Sequence, residues 1–220
     1  GVDSVTSNAS IRGSVNDVSL AKITTIANAN PDADNTNVPT GISPVGQFKF
    51  TAASNSNTLN GLNKATLSGV IFNVTASQVD LESGTFKFYN KANADTKATC
   101  SVVSGSLSST GSLVVSCPNL RTASTWSSGV GDTQLESGET STFVLEVNIQ
   151  NAKVGSTTSA LQVSIQDFST RATTTYGASV SHIDWTDEDS GTVASGTTTS
   201  SRFKWVEYSD TVVRSTSYKS

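Results

Sequence analysis

From Phe143 to Ile149 the chain sets Phe143, Leu145, Val147 and Ile149 on one side of an extended backbone, with Val144, Glu146 and Asn148 on the other. The stretch Ala160–Phe168 repeats the pattern, opposing Leu161, Val163 and Ile165 to Gln162, Ser164 and Gln166. A period of two marks a β-strand with one dry and one wet face, as in antiparallel sheets. On this reading strands are predicted over Val18–Ile26, Val45–Ala53, Lys64–Ala76, Gly84–Tyr89, Ala98–Ser104, Ser112–Cys117, Ser141–Asn151, Ala160–Phe168, Ala178–Trp185, Ser201–Glu207 and Thr211–Tyr218. No i, i+3, i+4 apolar stripe is sustained, so no substantial helix is expected.

Half-dry strands must bury their apolar sides against one another. The expected fold is therefore all-β, a single antiparallel β-sandwich of jelly-roll or immunoglobulin-like kind. Loops are expected at Asn28–Gly41, Ala53–Asn63, Thr122–Gly138 and Asp187–Ser200. None has the composition of an interdomain linker, so residues 17–220 form one expected domain. A Phe-Lys-aromatic triplet recurs at Phe48–Phe50, Phe86–Phe88 and Phe203–Trp205.

Residues 1–16 form an expected N-terminal arm with its own alternation. Val5, Ser7, Ala9, Ile11, Gly13 and Val15 share one side, and Thr6, Asn8, Ser10, Arg12 and Ser14 the other. Two fates fit this pattern. The arm can be a first strand or frayed end of its own domain. It can also leave and complete a neighbour's sheet, with Val5, Ala9, Ile11 and Val15 as apolar anchors and Gly13 over a shallow pocket. Because donor and acceptor surfaces differ, the second fate builds an open, head-to-tail homopolymer.

Cys100 and Cys117 flank the turn-rich stretch Gly105–Gly111. In an antiparallel pairing about that turn Val102 faces Val115, Ser104 faces Leu113 and Cys100 faces Cys117, so the register that pairs the valines pairs the sulfurs. A Cys100–Cys117 disulfide is expected, and with it an oxidising, extracellular setting. The chain starts at Gly1 with a polar segment, which fits removal of a leader or a start inside a longer protein.

Composition narrows the chemistry. Ser and Thr make up close to one residue in three, while charged residues are 15%, net charge is −4 and pI is about 4.9. Hydroxyls rather than charges thus wet the surface. No Lys/Arg cluster offers a phosphate-binding stripe, so nucleic acid is not an expected partner. No apolar run reaches the ~18 residues that span a bilayer, so membrane insertion is not expected either.

Catalytic residue types are scarce: one His, two Cys and no Met. Ser181, His182 and Asp184 supply the residue types of a hydrolase triad, but neighbours on a strand point to opposite faces, so Ser181 and His182 cannot share a proton there. No catalytic residue is assigned. Asp184, Asp187, Glu188 and Asp189 crowd carboxylates into one short run, which suits a structural Ca²⁺. Asp32 and Asp34, with Asn30 and Thr36, form a second oxygen-rich loop, although Asn35 and Gly41 depart from the EF-hand pattern. Solvated turns are the plain alternative for both. Asn8 and Asn73 head glycosylation sequons. Trp126, Trp185 and Trp205 could stack on surface glycans or pack inside.

Pro44-Val-Gly-Gln-Phe-Lys-Phe, Ala65-Thr-Leu-Ser-Gly-Val-Ile-Phe, Ile183-Asp-Trp-Thr-Asp and Phe203-Lys-Trp-Val-Glu, with the closing Thr211–Tyr218, resemble repeat domains of uncharacterised surface proteins of small-genome environmental bacteria. The resemblance covers Pro44–Tyr218 and implies secretion and a β-sandwich repeat. It brings no catalytic residue, and the arm lies outside it. The expected function is a non-enzymatic extracellular subunit that assembles with copies of itself into a filament or lattice. An adhesin or carbohydrate-binding module is the expectation from a different class.

Overall fold

The computed structural model describes residues 21–30, 36–54, 65–118, 120, 133–136, 138–154, 158–168, 182–187, 206 and 210–219. Within them the strands are β1 (Ala21–Asn28), β2 (Gly41–Ser54), β3 (Ala65–Ser77), β4 (Asp80–Leu81), β5 (Lys87–Asn90), β6 (Ala98–Thr99), β7 (Ser101–Ser108), β8 (Thr110–Cys117), β9 (Gln134–Leu135), β10 (Thr140–Asn151), β11 (Ala160–Gln166), β12 (Ile183–Asp187), β13 (Val212–Arg214) and β14 (Tyr218–Lys219). A 3₁₀ turn spans Ser83–Thr85, and no α-helix occurs among the described residues. The all-β expectation holds.

Two antiparallel sheets form. The first runs β1-β2-β10-β5-β6, with β4 on the end of β10, and the second runs β13-β11-β3-β8-β7, with β9, β12 and β14 attached. The long strands β10 and β3 sit at their centres. β3 pairs along its first half with β12 and β9 and along its second half with β11 and β8. Every residue from Ala65 to Phe72 is buried, on both faces of the strand.

Alternation sets which side each strand buries. Phe143, Leu145, Val147 and Ile149 of β10, and Leu161, Val163 and Ile165 of β11, enter one shared core. In the Phe-Lys-Phe triplets the phenylalanines point inward and the lysine outward, so Phe48, Phe50, Phe86 and Phe88 are buried while Lys49 is exposed. Phe72 of β3 crosses from the second sheet into this aromatic group. Its ring lies 5.7 Å from Phe48 and 5.5 Å from Phe88, and Phe88 stacks on Phe143 at 5.5 Å.

Between β6 and β7 the chain passes from one sheet to the other, a corner that the continuous run Ala98–Ser104 did not reveal. Cys100 stands at that corner, its N–H donating to Phe86 O of the first sheet, and its sulfur bonds Cys117 of β8 in the second. Val102 faces Val115 as expected, but Ser104 faces Val114 and not Leu113. The reason is a β-bulge at Val103, which shifts the register by one. Gly105 follows with φ +88, and a Cβ there would lie 2.1 Å from Ser112 O, so the hairpin requires glycine at this position.

Other boundaries also differ. β9 falls within the expected loop Thr122–Gly138, held because Leu135 has a core site opposite Ala65. The expected strand start at Gly84 is the 3₁₀ turn, and the expected strand Thr211–Tyr218 is divided into β13 and β14. The expected strand Ser201–Glu207, apart from Val206, lies outside the described residues, as do Val18–Leu20 and Ala178–Ser181.

Candidate functional site

The two sheets present different outer faces. On the first sheet the outward positions carry Lys49 of β2, Val144 and Glu146 of β10, and Lys87 and Tyr89 of β5. Lys97 Nζ donates to both Glu146 oxygens at 2.9 Å and stands 4.5 Å from the centre of the Tyr89 ring. Tyr89 donates its hydroxyl to Glu146 Oε2 at 3.4 Å. Burial, the Glu146 charge and that hydrogen bond together raise the Tyr89 pKa above 10.0. This knot holds the loop after β5 against β10.

The second sheet is wetted by neutral groups at one end. Register aligns Gln162, Thr75, Ser112 and Ser106 across β11, β3, β8 and β7. Around this row lies an open hollow of about 380 Å³, with Thr75, Ser77, Thr110, Ser112, Gln162 and Ser217 among its lining. Among the described residues no charged side chain lines it. Thr75 and Ser112 share a 3.3 Å hydroxyl contact, Gln78 donates twice to Thr110 Oγ1, and Gln162 Nε2 donates to Ser215 O. None of these residues was singled out from sequence. The Thr/Ser alternation of each strand was legible, but which strands stand side by side was not.

The other end of that face is buried. Thr66, Ser68, His182, Asp184 and Thr186 are each at most 3% exposed. His182 Nδ1 lies 3.4 Å from Asn73 Nδ2, and Nε2 lies 3.9 Å from Asp167 Oδ2. The Thr66 and Ser68 hydroxyls have no hydrogen-bond partner among the described residues.

The sequence candidates are placed as follows. Cys100 and Cys117 form the expected disulfide, with Cα atoms 4.4 Å apart. Asp184 is buried on β12 opposite Gly69, and Asp187 ends that strand opposite Ala65. Among the described residues no group of three or more His, Cys, Asp or Glu converges as a metal site. Asn73 is half-buried in the central strand, where a glycan on Nδ2 would displace its contact with His182. Trp185 is a core residue, 3% exposed. Val5, Ala9, Ile11, Gly13, Val15, Asn8, Asp32, Asp34, Glu188, Asp189, Trp126 and Trp205 lie outside the described residues. No helix among the described residues is long and apolar enough to cross a membrane.

The outermost strand on one flank is β7, paired among the described residues with β8 alone. Ser101, Val103, Ser104, Gly105 and Ser106 are exposed along it. The opposite flank is formed by β1 and β13.

No family model matches this chain, and no curated protein matches it. A solved structure described as "AvmM Catalyzes Macrocyclization in Alchivemycin A Biosynthesis" aligns with 68% of this chain and 73% of its own, at 12% identity. Its TM-score of 0.31 is too low for that likeness to carry an argument about fold or chemistry.

Proposed function

We propose that this chain is a non-enzymatic, extracellular structural subunit. In this reading the two sheets are a β-sandwich, and copies join head to tail as the arm Val5–Val15 of one pairs with the sheet of the next. The observation that carries it is the exposed outer strand β7, which among the described residues pairs on one side alone, with β8, on the flank away from β1. Among the described residues the exposed large apolar side chains are Ile42, Val103 and Val154, of which Val103 lies on this edge. The bulge at Val103 restricts pairing to a strand that can match it.

The Cys100–Cys117 bond supports an oxidising exterior.

Ile11→Asp tests the reading. One buried aliphatic side chain contributes about 1.5–3 kcal/mol, so a charge in its place should abolish pairing. Electron microscopy and sedimentation of the native chain should show filaments or sheets. The variant should stay monomeric with an unchanged far-UV circular dichroism spectrum. A native chain that remains monodisperse, or a variant that polymerises normally, removes the proposal.

A further inference from the structure

We infer that the hollow on the second sheet is a binding site for an uncharged sugar ring. The inference stands apart from assembly, since the hollow is complete within one chain. Its volume, about 380 Å³, falls toward the small end of ligand sites, and it lies open to solvent. Among the described residues its lining carries no ionisable side chain, so the hollow suits a neutral ligand better than one whose charge must be desolvated. What it offers is a mixed set of neutral donors and acceptors.

That set can be worked out group by group. Thr110 Oγ1 already accepts from Gln78 N and Nε2, at 3.1 and 3.4 Å, which leaves its own proton to donate outward. Of the Thr75 and Ser112 hydroxyls one donates to the other across 3.3 Å, leaving one proton for a ligand. Gln162 Nε2 donates to Ser215 O at 3.0 Å, which orients the amide and leaves Oε1 as an acceptor. Donors on β3 and β8 and an acceptor on β11 thus stand on adjacent strands, about 4.8 Å apart. Equatorial hydroxyls on alternate carbons of a sugar ring are each donor and acceptor at a similar pitch, whereas an apolar ligand would leave these groups unpaired. Gly111 and Ala160 beside them add no bulk beyond Cβ, so the ring can approach the backbone. Among the described residues no aromatic side chain lines the hollow, so affinity should be modest.

The experiment is a ¹H–¹⁵N correlation titration of the full chain with glucose, galactose, mannose, N-acetylglucosamine and sodium glucuronate. At least one neutral sugar should shift the amides of Thr75–Ser77, Thr110–Ser112 and Ala160–Gln162 saturably, with half-saturation on the order of 1 mM. Ser112 is exposed, so Ser112→Trp should fill the hollow and weaken binding at least tenfold with little change in melting temperature. Thr75→Val, which removes only a hydroxyl, should weaken it severalfold. Absence of saturable shifts with every neutral sugar overturns the inference, as do shifts confined to another surface. Tighter binding of glucuronate would also overturn it, assigning recognition to Arg214 and Lys219 on the adjoining flank rather than to the neutral rim.

Discussion

The ring of Phe72, on the central strand of one sheet, lies 5.7 Å from that of Phe48 on the other, tilted by 32°. Both side chains are fully buried, and through Phe88 the contact continues to Phe143 on β10. Aromatic pairs of this kind add to simple burial because ring edges and faces attract. One residue of β3 is thus inserted among phenylalanines of β2, β5 and β10, within the core that the two sheets share.

Phe72→Ala should be among the most damaging single substitutions. It removes a buried ring and leaves a cavity that the strands on either side of β3 cannot close, at a cost of about 3–5 kcal/mol. Urea unfolding followed by circular dichroism should show the midpoint falling with little change in slope. Ile42→Ala, at a residue 72% exposed, should move it hardly at all.

Reducing the disulfide should loosen a corner between the sheets, because Cys100 also donates its backbone N–H to Phe86 O. The bond closes a short loop, sequence separation 17, for which the chain-entropy relation gives about 3 kcal/mol. The double variant Cys100→Ser, Cys117→Ser should unfold at correspondingly lower denaturant. Intact-mass measurement with and without reductant should differ by two hydrogen atoms, and neither cysteine should be alkylated in the untreated, denatured chain.

Tyr89 should ionise above the usual tyrosine range, and Glu146→Gln should bring its titration back toward 10.0 by removing the neighbouring charge. Ultraviolet absorbance of tyrosinate in native chain and variant checks both statements. The folded pKa is the higher one, so the folded state holds this proton more tightly. The resulting stability is fully present below pH 10.0 and is lost as pH rises through the folded value. The variant should show a smaller loss of stability over that alkaline window.

Strand identity was legible from the chain alone because it depends on nearest neighbours. Alternation of Leu161, Val163 and Ile165 with Gln162, Ser164 and Gln166 places the apolar set inward whatever strand lies beside it. The Cys100–Cys117 pairing was legible for the same reason, since a hairpin's register is local. The bulge at Val103 was not, because it depends on how β7 bends as it leaves the first sheet for the second.

The order of strands lay beyond any local pattern. Nothing in Thr75, Ser112 or Gln162 says that β8, β3 and β11 are adjacent, yet that adjacency makes a hollow from residues far apart in the chain. The same holds for the partnership of Lys97 with Glu146 and for the burial of Asp184, which as sequence looks like a solvent-facing acidic loop. Periodicity constrains one strand at a time, through the geometry of its own backbone. Sheet order is chosen by how all the dry faces pack at once, and the wet faces take whatever neighbours that packing brings them.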